Sequence, residues 1–487
     1  MDFDPATSSA SRILQQLRKG TLGSRELLDT LLARIEQLNP VVNAVVTLDR
    51  DGARRAANRL DEHSRTAHRT GALHGLPMTI KDTLETAGMR TTAGALEKHI
   101  PEHDAVAVQR LREAGALIFG KTNTPAWGAD LQTWNNIFGQ TSNPWDTRCT
   151  SGGSSGGAAT AVALGLTPLE VGSDIGGSLR NPAHYCGVYS HKPSQGLIPQ
   201  RGHIPGPPGT VGPSDLAVIG PLARDAEDLA LALKLLCGPD NLDSTAWRLE
   251  LPPPRQRKAG DFRVAVWLDD PACPVDSSVG DVLQQTVEQL TAGGVKLHEK
   301  KPGIALPEAL DIYLRLLYPV TGAGLPDKVR ARLARTAEQA ADDDHCWPVR
   351  MARYSLLDHR DWLIANEIRH RYRRIWHDFF GDVDVLLTPV TPVTAPRHDH
   401  SGDLMQRSIE VNGQSRNYWE QMTWAGALAT LAGLPATTAP VGLARNGLPV
   451  GIQIIGPWLE DYTPIAFASA LAGLTGGFQP PPEPRPS

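Results

Sequence analysis

The segment LTPLEVGSD (Leu166 to Asp174) has the pattern of a strand, and it runs directly into IGGSLRNP (Ile175 to Pro182). Two glycines thus precede one serine, Ser178, at a strand end. Glycine permits φ > 0 and brings no side chain. Across Ile175, Gly176, Gly177 and Ser178 the backbone N–H groups can therefore point into one space beside the Ser178 hydroxyl. A second stretch stripped of bulky side chains, SGGSSGGAA (Ser151 to Ala159), lies just upstream.

The surrounding pattern alternates strands with helices, which argues for an α/β sheet. Ile, Leu and Ala recur at helical spacing in Ser9 to Lys19 and Ser24 to Leu38, each behind a plausible Ser or Thr cap. Arg50 to His63 and Asp104 to Gly115 read as further helices, and Ala158 to Leu166 as a helix of small residues. MTIKD (Met78 to Asp82) and ALIFGKT (Ala116 to Thr122) read as strands entering the core. Composition shifts at LPPPRQRKAGD, Leu251 to Asp261. A strand, FRVAVWL, and long helices between Gly280 and Phe380 follow, and the earlier style returns at VDVLLTPVTP, Val383 to Pro392. We expect one domain over residues 1–475 with a variable helical middle at about 250–382, and a disordered proline-rich tail at 476–487.

Composition excludes several classes. Lys and Arg number 48 against 53 Asp and Glu, a net charge of −5, with no basic stripe for nucleic acid. No run of 18 apolar residues could span a membrane. The N-terminus lacks the charged start and apolar core of a signal peptide, so a cytoplasmic protein is expected. Five cysteines without a CxxC pair fit a reducing compartment and no zinc site.

Three motif matches fail on context. GALIFGKT (Gly115 to Thr122) fits the phosphate-loop pattern, but Ala-Leu-Ile-Phe wants burial in a strand. G-x-S-x-G occurs around Ser154 and Ser155, yet SNPWDTRCTS before it is no strand, as a nucleophile elbow requires. His398 with His400, and His370 with His377, offer neither an HExxH spacing nor a third ligand. No metal and no cofactor are expected.

Amide hydrolysis needs a nucleophile, a base, and donors for the developing oxyanion. Ser178 and the glycine turn supply the first and last. The base need not be histidine, since Ser–Lys variants exist. A lysine serves only when neutral, which requires burial. Lys81, at the end of the apolar MTIK strand, is the best candidate. Asp82 follows it, but adjacent strand side chains face opposite ways. A hydroxyl both donates and accepts, so a serine of GGSSGG can relay a proton between Lys81 and Ser178.

These residues resemble the amidase signature family of serine amidohydrolases. The matching pieces are GLPMTIKD, GKTNTP, QTSNPWD, SGGSSGGAA, GSDIGGSLRNPAHYCGVYSHKPS, LLTPVTPVTAP, LAGLPATTAPVG and GLPVGIQIIGP, spread over about residues 9–240 and 383–475. The resemblance implies a central mixed β-sheet flanked by helices on both faces. It also implies a Ser–cisSer–Lys triad: Ser178 as nucleophile, Ser154 as the bridging serine behind a cis peptide bond, and Lys81 as base. Backbone N–H groups of Ile175, Gly176, Gly177 and Ser178 would form the oxyanion hole. Asp174 and Arg180 would support that turn, with Ser155 a hydrogen-bonded neighbour. Met78, Trp127 and Cys186 are expected on the substrate side.

Two departures matter. Many family members carry an acid after the proline of the GKTNxP segment, where this chain has Ala126 and Trp127. The chain has DIGGS, as in stand-alone amidases, rather than the DTGGS of the glutamine amidotransferase branch. Aromatic residues such as Trp347, Tyr354, Trp376 and Trp424 are mostly core. If a few line the pocket, the substrate is an apolar or aryl amide, anilide, ester or carbamate. The alternatives are an amidotransferase component for tRNA-dependent transamidation, a phosphate-loop NTPase, and an idle binding protein. The expected partner is a small amide; the resemblance also allows a homodimer.

Overall fold

Apolar and β-branched runs form two main sheets, beside two short two-stranded ones, in the computed structural model, which describes residues 3–66, 71–204 and 206–484. The larger sheet is mixed and eight-stranded. Its order is Lys296–His298, Arg263–Val266, Val385–Pro389, Pro449–Ile455, Ala436–Leu443, Tyr189–Lys192, Val218–Ala223 and Leu169–Asp174. The first three run parallel, and every later pair is antiparallel. Helices flank it, among them Gly156–Ala163, Arg180–Cys186, Ala226–Leu236, Ser277–Ala292 and Tyr462–Thr475.

A smaller sheet has Leu117–Thr122 in the centre, antiparallel to Val45–Leu48 and parallel to Pro77–Lys81. Its edge strand Pro77–Lys81 faces the edge strand Leu169–Asp174 of the larger sheet, and polar side chains stitch the two. The hydroxyls of Thr79 and Thr122 both donate to the Glu170 carboxylate. This seam buries Lys81 completely.

The middle region is woven into the larger sheet. Val264 pairs with Leu297 on one side and with Val385 on the other. The helix Gly156–Ala163 is fully buried and made of small residues because it lies on other backbone. A Cβ at Gly157 would stand 2.4 Å from the Asn123 nitrogen. The second helix, expected to end at Leu38, continues to Val42, where Asn43 (φ 51°) closes it in the left-handed region.

The proline-rich tail is described as far as Pro484, and residues 485–487 lie outside the described residues. At the start of this tail Phe478 packs against the core, as burial of a phenyl ring favours. Among the described residues no helix is long and apolar enough to cross a membrane, and no group of His, Cys, Asp and Glu could hold a metal ion.

Candidate active site

Strand alternation decides where the Lys81 side chain goes. Thr79 and Lys81 point toward the strand Leu169–Asp174, while Met78 and Ile80 point into the apolar core. The Lys81 Nζ donates to three hydroxyls: Ser154 Oγ at 2.7 Å, Ser155 Oγ at 2.9 Å and Ser173 Oγ at 3.1 Å. Burial pushes its ammonium down to about 7, against the pull of Asp174 and Glu170. An amine in that range is substantially neutral near pH 7, and a neutral amine can accept a proton.

Ser154 is carried on the turn between Ser151 and the helix Gly156–Ala163, and the Gly153–Ser154 peptide is cis. Thr133 Oγ1 clamps this turn at both ends, donating to the Gly152 carbonyl at 2.8 Å and accepting from the Gly156 N–H at 3.1 Å. The backbone of Ser178 meets the same turn, its carbonyl accepting from the Ser155 N–H at 3.1 Å. Ser154 and Ser178 are both buried, keeping 3% and 6% of their surface. Among the described residues, Ser154 Oγ and Ser178 Oγ are not hydrogen-bonded to each other.

The glycine turn is tied from below. Asp174 Oδ1 accepts from the Gly177 N–H and Oδ2 from the Leu179 N–H, both at 2.9 Å. Burial alone would raise this carboxyl, but Arg180, bidentate at 2.7 and 3.1 Å, and the two N–H groups hold it down at about 2. Arg180 spends its remaining donors on the Ala425 carbonyl, Gln453 and Thr430. Gly177 adopts φ 107°, which a side chain would resist. Its N–H is committed to Asp174. Among the described residues, the N–H groups of Ile175, Gly176 and Ser178 have no partner. Of the four N–H groups in the turn, the one on Gly177 is thus already held by a carboxylate.

Other sequence candidates fall elsewhere. Met78 is fully buried in the main core, on the strand face opposite Lys81. Cys186 is also fully buried, in an apolar cluster, and burial lifts its thiol to about 12. Neither presents a surface to a substrate. Trp127 is 41% exposed, next to Gly128, whose hypothetical Cβ would lie 3.5 Å from Ser154 Oγ; it stands at the rim. Lys121, the lysine of the phosphate-loop pattern, is fully buried in the strand Leu117–Thr122 and donates to Thr86 and the Leu84 carbonyl. That burial disposes of the nucleotide-binding reading.

Ser173, Glu170 and Thr133 carry structural weight that the sequence did not reveal. Ser173 and Glu170 belong to a strand whose neighbour across the seam lies about 90 residues away in the chain, as the separations of 92 and 91 show.

The eight-stranded mixed sheet flanked by helices, with a buried lysine held by serine hydroxyls at its seam with the smaller sheet, defines a mixed α/β fold. The chain belongs to the amidase (amidase signature) family, whose model matches residues 26–464. It is 33% identical to a glutamyl-tRNA(Gln) amidotransferase chain of Roseiflexus sp. (strain RS-1), over 95% of each chain. It is 32% identical to an indoleacetamide hydrolase of Bradyrhizobium diazoefficiens, covering 94% of this chain and 85% of that one. A crystal structure of an amidase superposes with a TM-score of 0.76 at 28% identity, covering 96% of this chain and 99% of the other.

Proposed function

We propose that this chain hydrolyses the C–N bond of carboxylic amides through an acyl intermediate on Ser178. The observation that carries the reading is the Lys81 amine, fully buried and in contact with Ser154 Oγ. Neutral Lys81 takes the Ser154 proton as Ser154 takes that of Ser178. The Ser178 Oγ–carbon bond forms, and the carbonyl electron pair moves onto oxygen, facing the N–H groups of Ile175, Gly176 and Ser178. As the C–N bond breaks, the proton returns along the same path to the departing amine. Water then attacks the ester, and Ser178 regains its proton. Asp174 and Arg180 hold the turn throughout.

Trp127 at the rim favours apolar or aryl acyl and amine groups, extending to anilides, esters and carbamates. A panel of such substrates, run on wild type and Ser178→Ala, tests both parts. Aryl amides should turn over faster than short polar amides such as malonamide, and Ser178→Ala should lose at least about 10³-fold in kcat. A preference for malonamide would remove the apolar pocket.

A second reading is favoured by the 33% identity to a glutamyl-tRNA(Gln) amidotransferase chain. In it the protein would release ammonia from glutamine for a tRNA-bound substrate and would need partner chains. The DIGGS turn argues for independent action. Hydrolysis of simple amides by the purified chain, without ATP or tRNA, decides between the two.

A further inference from the structure

The helix Leu306–Gly322 of the middle region reaches the glycine turn through Tyr313. This residue is fully buried, and its hydroxyl donates to the Ile175 carbonyl at 2.9 Å. Glycines on both sides make room for it. A Cβ at Gly176 would stand 2.8 Å from the hydroxyl, and one at Gly426 would stand 2.4 Å from the ring. The ring is therefore gripped between two backbones, and its hydroxyl has one address.

The acceptor is what matters. A trans peptide unit is planar, and its C=O and N–H point in opposite directions. The Ile175 carbonyl and the Gly176 N–H belong to one such unit. A donor fixed on the carbonyl side thus orients the N–H on the other side, and that N–H is unpartnered among the described residues. Hydrogen bonds in series also polarise one another, so a donor on the carbonyl makes the N–H a better donor. The next unit is anchored differently, through its own N–H to Asp174.

We propose that Tyr313 is a positioning residue that aims the Gly176 N–H at the substrate carbonyl oxygen and strengthens that contact as negative charge develops there. The proposal rests on the acyl-serine reading given above. It gives the middle region a part in catalysis through a hydroxyl that touches neither substrate nor the attacking serine.

Tyr313→Phe keeps the ring between Gly176 and Gly426 and deletes only the hydroxyl. Losing a whole oxyanion donor costs about 10²–10³ in kcat, so losing the orientation of one should cost about 10-fold, with KM changed less than about twofold. Affinity for a trifluoromethyl ketone, which forms the tetrahedral adduct on serine, should fall by a similar factor. Affinity for an unreactive ground-state amide analogue should not change. Incorporating a ring-fluorinated tyrosine at the same position, which preserves shape and donates more strongly, should keep kcat at or above wild type. The proposal is overturned if the Phe variant retains full kcat, if both affinities fall together, or if the fluorinated tyrosine loses activity as the Phe variant does. An inactive wild type, or a fully active Ser178→Ala, would instead overturn the acyl-serine reading and this proposal with it.

Discussion

At the scale of single residues, the proton chemistry turns on Lys81. Desolvation lowers its amine to about 7, so the base form grows as pH rises. We expect kcat/KM to rise through about pH 7 and then level off, which a pH–rate profile checks. Lys81→Met should lower kcat by at least about 10², the usual contribution of a general base, and leave the circular dichroism spectrum intact. The same shift makes a stability prediction. The folded-state value lies below the ordinary lysine value of 10.5, so between about 7 and 10.5 the unfolded chain binds more protons than the folded one. Stability from this group therefore rises with pH across that window and is lowest below it. The stability advantage of Lys81→Met over wild type should be largest below pH 7 and narrow toward pH 10.5, as read by urea unfolding at several pH values. The candidate base was legible in the sequence because Lys81 ends the apolar strand MTIK, which has to enter the core. Glu170 was not, because a carboxylate in a strand reads as solvent-facing until the second sheet is in place.

At the scale of elements, close contact overrides local preference. Alanine is the better helix former by about 1 kcal/mol, so Gly157→Ala in the helix Gly156–Ala163 would stabilise an exposed helix. Here the new methyl would sit 2.4 Å from the backbone of Asn123. Overpacking against backbone reverses the sign, and we expect a net loss of about 1–3 kcal/mol, seen as a lower Tm. The Asp174–Arg180 pair ties a strand end to the following helix with both side chains fully buried. Arg180→Met strands a buried carboxylate, at about 3–5 kcal/mol, measurable by denaturant unfolding. The sequence revealed these elements well where capping or periodicity marks them, as at Ser9, whose side chain accepts from the Arg12 N–H. It placed the end of the second helix too early, because Asn39-Pro40 reads as a breaker. In the structure the Asn39 side chain instead accepts from the N–H groups of Ala44 and Val45 beyond the helix end.

At the scale of the whole molecule, the composition shift near residue 251 marks a change of style that the chain topology crosses. Residues 263–266 enter the larger sheet between two other strands, and the partner on one side is Val385–Pro389, from beyond the middle region. Such pairing joins residues more than a hundred positions apart, which local pattern cannot report. Packing repeats the lesson: Phe262 meets Phe467 edge-on at 5.0 Å, and Trp267 meets Trp424 at 5.7 Å. Trp376, Phe379 and Phe380 form one aromatic knot on the helix His359–Asp382, part of the same core. Replacing residues 267–382 by a short linker would strip the cover from Trp424 and remove Tyr313 from the glycine turn. Each buried aromatic so exposed costs about 2–3 kcal/mol, so uncovering a few of them consumes the whole stability of a typical fold. We therefore expect the shortened chain to show no cooperative thermal transition and no turnover. A soluble product that melts cooperatively and hydrolyses amides would mean that the middle region is an appendage, and that the sheet, the glycine turn and the buried lysine assemble without it.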